Sequence, residues 1–154
     1  MELEIGSIAP DFTLFDTDKN QVTLSILKGQ KILLLFFPLA FTSTCTKELC
    51  AVRDNITAYN EANVKVLGIS VDSLFTLKKY KEEQAINFLL LSDFNKEVST
   101  TYETLYEEFT FGMKGVSKRS AYLISETGQI IYKEVLENAS EVPDFVKING
   151  YLST

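Results

Sequence analysis

The segment Lys31–Phe37 (KILLLFF) constrains the fold more than any other stretch of the chain. It has strand length and its apolar residues do not alternate with polar ones, the pattern of a strand covered on both faces. Pro38 ends it, because proline cannot donate to a sheet ladder. Val64–Ser70 (VKVLGIS) predicts a second central strand. Between the two, Leu49, Val52, Ile56 and Tyr59 recur at spacings of three and four, which predicts an amphipathic helix over Cys45–Asn60 with Thr42, Ser43 and Thr44 as candidate N-caps. Strand, helix and strand in this order make a right-handed βαβ unit.

The flanking segments extend this unit. Phe12–Leu14 and Gln21–Leu24 predict a hairpin around the turn Asp16–Asn20, and Ala121–Ile124 with Ile130–Lys133 a second one. Ser73–Gln84 reads as a helix, Phe88–Leu91 as a strand and Lys96–Tyr102 as a short helix. Glu141–Leu152 reads as a last helix with Pro143 in its first turn. The expected architecture is α/β: a mixed sheet with helices on both faces, in one domain over residues 1–154.

Composition removes whole classes of chemistry. The chain has 154 residues, a formal net charge of -6, two cysteines and no histidine. The charge argues against a nucleic-acid backbone or an anionic membrane as main partner. Without histidine there is no Ser-His or Cys-His catalysis, no His-based zinc site and no His-ligated haem. Two cysteines cannot hold an iron–sulfur cluster unaided. The first residues, Met1–Gly6, lack the basic start and apolar run of a signal peptide, so the expected compartment is the cytoplasm, where thiols stay reduced. Redox chemistry here would rest on sulfur alone.

Cys45 falls just past the predicted helix start. Free N–H groups and the positive end of the helix dipole favour a thiolate there, and the thiolate is the nucleophilic form. A lone cysteine in an apolar helix is otherwise a small core residue. Here a covered strand, a proline loop and a hydroxyl-rich turn all lead into it.

Pro38, Thr42 and Cys45 match P-x-x-x-T-x-x-C, which resembles the active-site signature of the peroxiredoxins. Ala9–Leu14 (APDFTL) resembles the N-terminal A-P-D-F-x-L segment of that family, and Gly115–Ile124 (GVSKRSAYLI) the segment that carries its arginine. The resemblance implies a thioredoxin-like fold with an N-terminal β-hairpin and a thiol peroxidase activity on hydrogen peroxide and organic hydroperoxides. It implies no metal or prosthetic group. Cys45 would be the peroxidatic cysteine. Thr42 would hydrogen-bond the thiolate and the peroxide, Arg119 would stabilise the thiolate and the charge developing in the transition state, Pro38 would shield the sulfur, and Glu48 would orient the arginine. Taken singly, Thr42 reads as a helix cap, Arg119 as a surface charge and Glu48 as a first-turn acid.

Cys50 follows at C-x-x-x-x-C, the spacing of the Q type (bacterioferritin comigratory protein), in which the second cysteine resolves the sulfenic acid. Phe36–Thr42 and Leu91–Phe94 resemble instead the alkyl hydroperoxide reductase E type, which often lacks it. Residues five apart on a helix lie about 140° apart around the axis, with Cα atoms roughly 8.7 Å apart. A disulfide needs less than about 7 Å. A Cys45–Cys50 disulfide therefore requires the helix to unwind at its start. The alternative is a packing role for Cys50 and a one-cysteine cycle with an external thiol. The expected reductant is thioredoxin or a similar dithiol, and the expected state is monomer or homodimer. A thiol–disulfide oxidoreductase, and a redox sensor or holdase that uses Cys45 as a switch, are the rival readings. Phe41, Phe109 and Phe111 read first as core, and secondarily as walls of a peroxide pocket or as a dimer contact.

Overall fold

The computed structural model describes residues 3–153; residues 1–2 and 154 of the expected domain lie outside it. The described residues form a seven-stranded sheet: β1 (Thr13–Asp16), β2 (Gln21–Thr23), β3 (Lys31–Phe36), β4 (Val64–Ser70), β5 (Leu89–Ser92), β6 (Arg119–Ile124) and β7 (Ile130–Leu136), in the order β2-β1-β5-β4-β3-β6-β7. β3, β4 and β5 run parallel. The N-terminal hairpin adds β1 antiparallel to β5, and the β6–β7 hairpin adds β6 antiparallel to β3.

The uninterrupted apolar run of β3 has the predicted consequence. Leu33, Leu35 and Phe37 belong to one core, Ile32, Leu34 and Phe36 to another, because successive side chains point to opposite faces. On the first face lie α1 (Ser43–Asp54), α2 (Ile56–Glu61), α3 (Leu74–Glu83) and α5 (Phe145–Gly150), which bury Leu49, Tyr59, Tyr80 and Ile148. The second face is closed by α4 (Glu97–Thr101) and by the N-terminal segment through Ala9 and Phe12. Gly68 of β4 is required by the first core: a Cβ there would lie 2.7 Å from Leu90 Cδ2 and touch Phe37 and Phe88.

Two helices differ from expectation. The helix predicted over Cys45–Asn60 is two, broken at Asn55 (φ -112°, ψ 15°), whose N–H bonds back to Val52 O at 3.0 Å. Such a bond tightens the last turn of α1, and asparagine favours helix ends. The apolar stripe still runs across the break. The last helix starts at Phe145, not Glu141, so Pro143 stands outside it. Val142 precedes a proline and is biased away from helix. Asn138 Oδ1 instead accepts from the N–H and hydroxyl of Ser140, and Asp144 caps α5 through the Lys147 N–H at 3.1 Å.

Candidate active site

The C-terminal end of β3 delivers the chain to the site. The Phe37 N–H still bonds Ile69 O at 3.0 Å, then Pro38 ends the ladder. The loop that follows is pinned by Asp72, whose Oδ2 accepts from the Ala40 N–H (2.8 Å) and from the Ser70 hydroxyl (2.7 Å). Phe41 takes φ 64°, a conformation that costs a bulky residue free energy and that the pinned loop enforces. Thr42 is extended and N-caps α1 by position, with its C=O accepting the Thr46 N–H at 3.0 Å. Cys45 is thus the third residue of the helix, among the N–H groups that have no intrahelical partner.

Register brings the arginine to it. Phe36 pairs with Ser120, so Arg119 stands level with the end of β3. It shares the parity of Ala121 and Leu123, which face the first core, where α1 lies. On α1, Cys45, Glu48, Leu49 and Val52 form the buried face. Cys45, Glu48 and Arg119 are each 1% exposed. Arg119 Nη1 donates to Glu48 Oε1 at 2.8 Å, while its Nη2 donates to Cys45 Sγ at 3.2 Å and to the Ala139 carbonyl at 3.0 Å.

Electrostatics follow from this burial. Desolvation pushes the Glu48 carboxyl up to about 7, although Arg119 pulls it back down. Burial also works against the Arg119 charge, but Glu48 and the Cys45 sulfur outweigh it and raise the guanidinium above its ordinary value. Among the described residues, Glu48 Oε2 and Arg119 Nε make no hydrogen bond. The pair is held by one bond and the two charges.

The single-residue readings of Arg119 as a surface charge and of Glu48 as a first-turn acid do not hold: both are buried, and Glu48 stands past the first turn of α1. Thr42 differs from expectation in another way. Its hydroxyl proton goes to Leu39 O at 2.8 Å, so it neither caps the helix by side chain nor donates to Cys45; its oxygen remains free to accept. A pocket of about 200 Å³ opens over the sulfur, lined by Pro38, Thr42, Cys45, Phe109, Arg119 and Ser140. Phe109 is therefore wall rather than core. Phe41 (50% exposed) and Phe111 (94% exposed) also lie outside the core, and Phe41 meets Tyr80 edge-on at 5.0 Å. Cys50 stands apart: half-buried on α1, it donates to Gln84 Oε1 at 3.6 Å. Sequence reasoning missed Asp72 and the Ala139 carbonyl. A backbone acceptor leaves no sequence signal, and nothing local marks Asp72 as a loop anchor.

The family model described as "AhpC/TSA family" matches residues 5–133. Peroxiredoxin Bcp of Escherichia coli is 38% identical over 130 residues, covering 83% of each chain. A putative peroxiredoxin bcp of Coxiella burnetii is 36% identical over 155 residues, covering 99% of this chain and 96% of that one. Among solved structures, peroxidoxin BcpB of Mycobacterium tuberculosis superposes with a TM-score of 0.87 at 25% identity over 99% of this chain and 97% of that one. The fold is thioredoxin-like. The chain belongs to the AhpC/TSA family and is a peroxiredoxin, a thiol-dependent peroxidase. Of the two subgroups it resembles, these relatives support the Q, or Bcp, type. Among the described residues no helix is long and apolar enough to cross a membrane.

Proposed function

We propose that Cys45 is the peroxidatic cysteine and that it reduces hydrogen peroxide and organic hydroperoxides. The observation that carries this is the Arg119 guanidinium, 3.2 Å from Cys45 Sγ at the floor of an open pocket. The thiolate attacks the distal peroxide oxygen, the O–O bond breaks, and the departing oxygen takes up a proton to leave as alcohol or water. Cys45 becomes a sulfenic acid. Arg119 supplies fixed donors where negative charge moves from sulfur to the leaving oxygen, and Glu48 and the Ala139 carbonyl hold its fork in place. Thr42, with its proton committed to Leu39, accepts the hydroperoxide O–H and so orients the peroxide. Pro38 and Phe109 keep bulk water off the sulfur.

Cys50 then resolves the sulfenic acid as an intramolecular disulfide, after α1 unwinds at its start, and thioredoxin or a similar dithiol in the cytoplasm reduces it. The test is the intact mass of the reduced protein after one equivalent of hydrogen peroxide. A loss of about two mass units supports the disulfide, and a lasting gain of about 16 overturns the resolving role in favour of a one-cysteine cycle. No change within seconds overturns the role of Cys45.

A further inference from the structure

Helix α3 holds α1 at two points that match turn for turn. Thr46 and Cys50 are one turn apart on α1; Tyr80 and Gln84 are one turn apart at the end of α3, so each pair shares a face of its helix. The Tyr80 hydroxyl donates to Thr46 Oγ1 at 2.9 Å, and Cys50 Sγ donates to Gln84 Oε1 at 3.6 Å. The Tyr80 ring is fully buried, which fixes its hydroxyl in place. Further along, the hold is of another kind. Arg53 Nη1 donates to the Gln84 carbonyl at 2.5 Å and Asn87 Nδ2 donates to Arg53 O at 3.2 Å. These last bonds involve no residue between Ser43 and Cys50. They can persist while the first turns of α1 unwind, whereas both of the earlier contacts must break.

We propose that Tyr80 and Gln84 are positioning residues for the resolving step, two rungs of a latch that keeps α1 wound and whose release sets how fast Cys50 reaches Cys45. The inference rests on the resolving role of Cys50. In that step Gln84 gives up the Cys50 S–H and Tyr80 gives up Thr46. The Cys50 thiol loses its proton, its sulfur bonds to Cys45 Sγ, and the S–O bond of the sulfenic acid breaks. The hydroxyl leaves as water with that proton. Arg53 and Asn87 remain as the fixed end about which the segment turns. A tighter latch leaves the sulfenic acid exposed longer to a second peroxide, so the two rungs also set sensitivity to overoxidation.

The experiment follows both steps by rapid quench and intact mass, in wild type, Gln84→Met, Tyr80→Phe and Thr46→Val, after one equivalent of hydrogen peroxide. Gln84→Met keeps the length of a half-buried side chain and removes only the acceptor, so it does not depend on how the buried Tyr80 site tolerates change. The rate of sulfenic acid formation should stay at the wild-type value, and disulfide formation should speed up about fivefold for each rung removed. Tyr80→Phe and Thr46→Val remove the same bond, so the pair together should gain no more than either alone. Disulfide formation that is unchanged or slower in Gln84→Met and Tyr80→Phe overturns the latch and leaves the resolving role of Cys50 standing. Gains that multiply in the Tyr80→Phe/Thr46→Val pair overturn the first rung. A wild-type protein that keeps its sulfenic acid overturns the resolving role and the latch with it.

Discussion

Cys45 lies on the face of α1 that packs against the sheet, with its sulfur in reach of a guanidinium whose fork is held by Glu48 and by the Ala139 carbonyl. Cys50 lies on the same helix, five residues on and about 140° around it, half-buried, with one long contact to an amide oxygen on α3. The helix periodicity alone separates the two thiols. The tertiary structure then treats them oppositely: it surrounds the first with buried charge, the Arg119 guanidinium arriving from β6, and leaves the second half-buried against α3. In the cycle proposed above, one helix serves two steps: the attacking sulfur needs donors fixed before the reaction, and the resolving sulfur needs freedom to move.

The comparison breaks first at Cys45. Cys45→Ser should abolish peroxide consumption outright while Cys50 remains present, as read by loss of peroxide with excess dithiol; residual turnover by Cys50 would erase the distinction between the sites. Next in size is Arg119. Arg119→Ala should slow sulfenic acid formation by about 10² to 10³. It should also destabilise the fold by about 3–5 kcal/mol, because Glu48 is left buried without its partner. Arg119→Lys keeps the charge without the fork, and should recover the stability but not the full rate. Stopped-flow kinetics beside urea melts separate the two effects, and an Arg119→Ala rate equal to wild type would remove the arginine from the reaction.

Glu48 sharpens the comparison through pH. Its carboxyl, raised by burial to about 7 from an ordinary 4.5, holds a proton more tightly folded than unfolded. Its stabilising contribution is therefore full below about pH 4.5, is lost as pH rises to about 7, and is level above that, a change of about 3 kcal/mol. Urea melts across this window should show stability falling with rising pH in wild type and a flatter course in Glu48→Gln. An undiminished slope in Glu48→Gln would place its source elsewhere. The smallest effect is expected at Cys50. Cys50→Ser should leave the rate of the first oxidation within about twofold of wild type, as suits a side chain away from the reacting atoms. Its product should change from a loss of about two mass units to a gain of about 16. A slowed first oxidation would mean that the two sulfurs are coupled before resolution.

Much of the fold is legible in short-range patterns. The run in Lys31–Phe37 announces a strand between two cores, and β3 has one on each face. The two hairpins and the helix of α3 lie within two residues of expectation, except that β7 runs three residues further, to Leu136. Errors fall where backbone hydrogen bonding has a local competitor. Asn55 divides one amphipathic stripe between two helices, and Asn138 with Pro143 delays α5 to Phe145. The site was legible in part. Glu48 carries a signal in its spacing, three residues past Cys45 and one before Leu49, which places it on the buried face. Phe41, Phe109 and Phe111 carry none, because aromatic side chains read alike as core, wall or exposed surface.

By itself the sequence determined the layers, the strands and the helix start that holds Cys45, because period and chain breakers act over a few residues. It also restricted any redox chemistry to sulfur, since two cysteines and no histidine leave no ligand set for a haem or an iron–sulfur cluster. Only the tertiary structure decided that Arg119, 74 residues from Cys45, arrives at 3.2 Å from its sulfur. The Phe36–Ser120 register and the alternation of β6 set that meeting, and both depend on pairing between strands far apart in the chain. It likewise decided that the Thr42 proton goes to Leu39 and that Cys50 leans on Gln84. Hydrogen bonds of this kind are chosen by which polar groups burial leaves within reach of one another, and burial is a property of the folded whole.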